Sequence, residues 1–187
     1  MNAQKIDILC RDLISAQRNF IKRLGTISFT ANFYEAIIGT NDLSDLLCTA
    51  SKLIRDEIGD CNVVFFLFGA DHLALHTFES GQPITHEHQH LENYFTPEIV
   101  DNICKANKLC TLDDMFAMGL QGNLIKLSEI SAFTIPLGQF GSSLGFILVY
   151  HTSQNTVTAE ELSKVSVVTC GLSRAIQSCQ MLLHSAD

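Results

Sequence analysis

Tryptophan is absent from this 187-residue chain, and proline and tyrosine each occur only three times. So few prolines leave long stretches open to helix, because each proline removes a backbone donor and clashes with the preceding turn. Long apolar runs are missing too. The longest, Val63–Phe68, falls far short of the roughly 20 residues a membrane-spanning helix needs, so no membrane insertion is expected. The N-terminal MNAQKIDILCRD carries charges where a signal peptide requires an apolar stretch. Basic residues are scarce, with 12 Lys+Arg against 20 Asp+Glu and a net charge of −8. That balance argues against nucleic acid as a partner, since phosphate recognition needs clustered cations. The seven cysteines are odd in number and lack paired spacing, which points to unbridged thiols and a cytoplasmic setting. What is present is apolar: 47% hydrophobic and 17% charged residues suffice for a core, so one compact domain with an appended helix is expected.

The charge is unevenly spread. Residues 1–40 hold five basic side chains against three acidic ones, so this segment is slightly positive and the rest strongly acidic. Between Arg55 and Lys105 there is no Lys or Arg, while nine acids and five histidines occur there. A solvated acidic face is the ordinary reading of such a stretch, and a cation- or pH-responsive patch the sharper one.

Helical spacing dominates the N-terminus. Ile6, Leu9, Leu13, Ala16, Phe20, Leu24, Ile27, Ala31, Tyr34 and Ile38 follow one another in steps of three and four. A helix of this length outruns a small domain, so its stripe needs cover from a second copy or from the C-terminal helix. Gly39-Thr40-Asn41 ends it, and Asn41 or Asp42 can cap a second helix with Leu43, Leu46, Leu47, Ala50, Leu53, Ile54 and Ile58 on one face. The resulting division is a signalling or dimerisation helix over 1–40 and a body over 41–187.

Past Gly59-Asp60 the pattern turns to strand. Asn62–Phe68 is β-branched and aromatic, and Leu73–Phe78 alternates as its hairpin partner. Residues 79–95 read as loop with a short helix, Pro97–Lys105 as a helix with proline in its first turn, and Leu109–Leu112 as a short strand. Asp113–Leu127 is read as a short helix and loop. Ser131–Ile135 and Leu144–Tyr150 are strands about the Gly138–Ser143 turn. Thr158 and Glu161 then form a capping box opening a last helix with Leu162, Val165, Val168, Leu172, Ala175, Ile176, Cys179 and Leu183. The whole is α+β around an antiparallel sheet.

Three segments carry a family resemblance: Asp42–Leu47 leading into Cys61–Leu67, Ala132–Leu137 followed by Ser143–Val149, and the helix from Glu160. Over residues 42–183 the chain resembles a GAF domain. The resemblance implies a central antiparallel sheet of five or six strands, with long N- and C-terminal helices on one face and short helices and loops on the other. It further implies a sensory module that binds a small ligand and signals through a dimeric helical bundle to an output domain or protein. Walls of the implied pocket are Phe66, His76, Phe78, Tyr94, Phe95, Phe116, Met118, Ser131 and Phe133, with Asp113, Asp114 and Thr134 orienting polar groups. Neither the ligand nor a cofactor is identified by these residues.

Particular residues bear on enzymatic alternatives. His86-Glu87-His88-Gln89-His90 matches H-E-x-x-H, but it follows Gly81-Gln82-Pro83, has no helical stripe and lacks an evident third ligand, so a protease is rejected. Cys104 and Cys110 are candidates for a redox pair, while Cys61, Cys170 and Cys179 read as packing thiols. The Gly-Val-Cys-Gly-type segment of GAF-fold methionine sulfoxide reductases is missing. Asn107-Lys108 and Phe116 match part of the cyclic-nucleotide motif, but Leu120-Gln121 occupies its acidic positions, and no Cys-His dipeptide for a bilin occurs. A haem ligand would have to be His76. The expectation is therefore a non-catalytic sensor. The alternatives are a thiol- or metal-dependent redox sensor or enzyme, and a dimerisation module without a ligand.

Overall fold

The computed structural model describes residues 2–68, 73–78, 90–122, 127, 129–139, 142–152 and 156–184. Helix α1 (Asn2–Ile37) runs without a break, as a proline-free stripe predicts. Helix α2 (Leu43–Ile58) starts at Asp42, whose carboxylate accepts the Asp45 amide at 2.9 Å, and ends at Gly59 with φ 95°. Strands β1 (Asn62–Phe68) and β2 (Leu73–Phe78) pair antiparallel, and a 3-10 turn (Leu91–Tyr94) leads into α3 (Pro97–Ala106). Thr96 caps α3 and Pro97 supplies its first turn, where a missing amide hydrogen costs nothing. Strand β3 (Cys110–Thr111), helix α4 (Leu112–Ala117), strands β4 (Ile130–Gln139) and β5 (Ser142–Thr152), and helix α5 (Ala159–His184) complete the chain. The capping box opening α5 is present: Glu161 Oε2 accepts the Thr158 amide at 2.7 Å, and Thr158 Oγ1 accepts the Glu161 amide at 3.2 Å.

The five strands form one antiparallel sheet in the order β2-β1-β5-β4-β3. Helices α1, α2 and α5 cover one face, burying Val63, Phe65, Leu67, Ile147 and Val149 beneath Phe33, Leu46, Ile54, Val168 and Leu172. The 3-10 turn, α3 and α4 cover the other, over Val64, Phe66, Phe146, Leu148 and Tyr150. Strand β1 is thus buried on both sides, which accounts for its unbroken Val-Val-Phe-Phe-Leu run where a one-sided strand would alternate. At Gly145 (φ 129°) a Cβ would run into the Phe66 carbonyl, so only glycine lets β5 lie this close to β1.

Phe33 and Ile37, at the end of α1, belong to the body's core. The last turns of the helix thus pack into the body, while its first turns are exposed.

Candidate functional site

The sheet face under α3 and α4 is built around three rings. Phe66 and Phe146 stack with centroids 4.6 Å apart, and Phe95 lies 5.1 Å from Phe66 and 6.1 Å from Phe146. Tyr94, Phe116 and Met118 pack half-buried against the same cluster. Cross-strand pairing of β1 with β5 brings Phe66 opposite Phe146, and the 3-10 turn lays Phe95 over both.

Polar groups are set into this apolar face. Thr134 is fully buried, and its hydroxyl has no hydrogen-bond partner among the described residues. Its backbone pairs with Leu148 and Cys110, so it stands one step diagonally from Tyr150 on the same side. Tyr150, itself fully buried, donates to Glu92 Oε2 at 2.5 Å. His90 Nδ1 lies 3.5 Å from the Tyr150 hydroxyl and 4.0 Å from Glu92 Oε1. A buried carboxylate needs such a donor, because desolvating it alone is costly. Neither Glu92 nor Tyr150 stood out in the sequence. The signal available was one acid beside Leu91 and Tyr94 in a segment otherwise read as loop.

Of the wall residues expected from sequence, Phe66, Tyr94, Phe95, Phe116, Met118 and Thr134 come together here. His76, Phe78, Ser131 and Phe133 do not, and their placement is corrected. His76 pairs with Phe65 and Phe78 with Val63, which puts both on the α2–α5 side. Phe133 pairs with Val149 and packs into the helix-side core, and Ser131, two residues earlier, shares its face. His76 is half-buried there, with its pKa lowered by desolvation, and so it offers no haem ligand to the α3–α4 face. Phe78 instead lines a groove of about 690 Å³ between α2 and β2, with Ser51, Lys52 and Arg55. Asp113 is exposed on α4. Asp114 is engaged locally: it closes a capping box with Thr111, pairs with Lys108 at 3.7 Å, and has its pKa lowered chiefly by the Thr111 amide.

The thiols are set against reactivity. Burial pushes Cys61 up to about 12 and also raises Cys104, outweighing the Ser143 hydrogen bond that favours the thiolate. A thiol held protonated is a poor nucleophile. Cys104 lines a small cavity of about 440 Å³ with Phe68, Asp101, Lys105, Asn107 and Ser143, and Cys110 is buried on β3. None of the seven cysteines is in a disulfide. His86 and His88 lie outside the described residues. His90 has extended backbone (φ −85°, ψ 152°) rather than the helical geometry a zinc-binding H-E-x-x-H requires. Among the described residues no group of three His, Cys, Asp or Glu is placed to hold a metal, and no helix is long and apolar enough to cross a membrane.

On the other side of the sheet, α1 and α5 run parallel. Lys22 meets Glu160 at 2.8 Å, Tyr34 lies against Gly171 and donates to the Val167 carbonyl at 3.5 Å, and Cys179 donates to the Thr40 carbonyl. Helix α1 carries two separate apolar stripes. Phe29, Phe33 and Ile37 face the core, whereas the stripe seen in the sequence lies roughly 140° away around the helix. Most of that second stripe stays open: Leu13 is 70% exposed, Ile27 64% and Ile38 77%. The C-terminal helix covers it only at Tyr34.

No protein-family model matches the sequence, and no curated protein matches it either. Solved structures do. A GAF domain of a phosphoenolpyruvate-protein phosphotransferase from Coxiella burnetii superposes with TM-score 0.63 at 11% identity, covering 86% of this chain and 98% of that one. A GAF domain/HD domain protein from Geobacter sulfurreducens gives 0.58 at 12% identity over 78% of this chain and 98% of its own. The type II free methionine-R-sulfoxide reductase of Thermoplasma acidophilum gives 0.51 at 12% identity, with coverages of 73% and 96%. At such identities the likeness speaks to fold, and with the sheet order and helix placement above it establishes that this chain has the GAF-like α+β fold.

Proposed function

We propose that this chain is a GAF-type sensory or regulatory domain, cytoplasmic and without catalysis of its own, that binds a small ligand on the α3–α4 face and signals through paired α1 and α5 helices of a homodimer. One observation carries the reading. Adjacent residues of β5 line both faces of the sheet, with Phe146, Leu148 and Tyr150 on the ligand side and Ile147 and Val149 beneath the helices. A ligand that shifts Phe146 or Tyr150 thus displaces β5, and with it the paired β4 on which α5 packs with α1 alongside. The buried Thr134 hydroxyl supports a polar ligand group on that face, because an unmet hydroxyl in a core is costly. The open stripe of α1 supports a second copy as its cover. Raised thiol pKa values at Cys61 and Cys104 weigh against thiol catalysis.

A second reading has its own support. The close packing of Phe66, Phe95 and Phe146 favours a dimerisation module whose face is filled by its own side chains. Native mass spectrometry on protein purified without added ligand or chelator separates the two. Assemblies built from chain pairs and carrying extra mass are expected. Paired chains with nothing bound, unmoved in Tm by a metabolite panel, would favour the ligand-free module. A monomer would overturn the dimeric part of both.

A further inference from the structure

None of the five strands contains a Lys, Arg, Asp or Glu. Their two histidines, His76 and His151, pair with Phe65 and Ser131 and so belong to the helix side. The sheet therefore gives the α3–α4 face only neutral side chains. The elements covering that face add little charge to it. Glu98, Asp101, Lys105 and Asp113 are exposed, and Asp114 is held in its capping box. Glu92, 7% exposed and bonded to Tyr150, is the one charged side chain among the described residues that turns onto the face.

This carboxylate is only half engaged. Oε2 accepts the Tyr150 hydroxyl, whereas Oε1 has His90 Nδ1 near it at 4.0 Å, too far for a hydrogen bond. An anionic oxygen withdrawn from water without a donor is costly. A second unmet group shares the face: the Thr134 hydroxyl, fully buried, one diagonal step from Tyr150, or roughly 7–8 Å along the sheet. Aromatic rings surround the two. Phe66, Phe95 and Phe146 cluster, and Tyr94 and Phe116 are half-buried at their rim. The faces of such rings are electronegative. Rings and carboxylate thus act in one sense, disfavouring an anion and attracting a cation, and the acidic body steers cations the same way.

We propose that the ligand of the α3–α4 face is a small organic ammonium ion carried on an aromatic body. Its ammonium donates to Glu92 Oε1, its ring lies against Tyr94 and Phe116, and a polar group at its far end meets the Thr134 hydroxyl. This rests on the ligand-binding reading above and names the charge class of that ligand.

Titration calorimetry on the full chain tests it with three probes of one skeleton: tyramine, a cation; tyrosol, neutral; and 4-hydroxyphenylacetate, an anion. Tyramine is expected to bind about tenfold more tightly than tyrosol, as one charge-assisted hydrogen bond provides, and 4-hydroxyphenylacetate more weakly than either. Glu92→Gln keeps an acceptor for Tyr150 and should bring tyramine down to the affinity of tyrosol. Thr134→Val removes the unmet hydroxyl at similar volume, so it should fold at least as stably. It should also erase the wild type's preference for tyramine over phenethylamine, a readout that stands even where Glu92→Gln fails to fold. Binding of 4-hydroxyphenylacetate as tight as that of tyramine would overturn the ammonium class, as would a preference for tyramine over tyrosol that survives in folded Glu92→Gln. If no probe binds while native mass spectrometry finds a neutral or anionic molecule retained, the ammonium class is wrong and the sensory reading stands. If no probe binds and nothing is retained, the ligand-binding reading falls with it.

Discussion

Tyr34 of α1 lies across Gly171 of α5, its ring occupying the space a Cβ at residue 171 would need. The missing side chain is what lets the two parallel helices meet at this point, since α5 otherwise presents Val168 and Leu172 to the core. Gly171→Leu should therefore push α1 off α5. Overpacking of this kind costs about 1–3 kcal/mol, read as a lower urea midpoint. Tyr34→Ala, nearly as damaging alone, should restore part of the loss in the double variant. Strict additivity of the two would mean that the contact does not join the helices.

Tyr150 and Glu92 form the buried polar pair of the ligand face. Tyr150→Phe removes the donor and leaves a desolvated carboxylate, at a cost of about 1–3 kcal/mol. Combining it with Glu92→Leu should recover most of that stability, because no unpartnered charge remains. Chemical denaturation of the three variants checks this. A double variant as unstable as the sum of the singles would show that the pair is not coupled.

Lys164 bridges α5 to Glu57 of α2 at 2.5 Å with both side chains largely buried, and that hydrogen bond raises its pKa above the ordinary 10.5. A raised lysine pKa means that the folded state binds the proton more tightly. The stabilisation is full below 10.5 and is lost as pH climbs through the raised value. Wild type should exceed Glu57→Gln in urea midpoint from pH 7 to 10, and the difference should shrink above that. An equal gap at every pH would remove the ion pair as its source.

Thiol labelling checks the case against cysteine chemistry. Cys48 is exposed on α2, whereas Cys61, Cys104 and Cys110 are buried. With iodoacetamide at neutral pH, peptide mass spectrometry should find Cys48 modified early and the three buried thiols modified only on unfolding. Rapid labelling of Cys104 in the native protein would reopen the redox reading.

Much of this architecture follows from local chemistry. The 3.6-residue stripes, the Asp42 and Thr158–Glu161 caps, Pro97 in the first turn of α3 and the β-branched run of β1 all act over a few residues, so they are legible along the chain. The GAF-like order of elements follows from them. What only the tertiary structure decided was sidedness. A strand shows two alternating faces, and only its pairing register says which of them meets the helices. His76, Phe78, Ser131 and Phe133 thus left the expected pocket, while Phe146 and Tyr150 entered it. The same holds for α1, whose two apolar stripes merge in a linear reading and separate only when Phe33 and Ile37 are buried and Leu13 and Ile27 are not. Glu92 acquired its role from Tyr150, 58 residues away, a partner that no local pattern could supply.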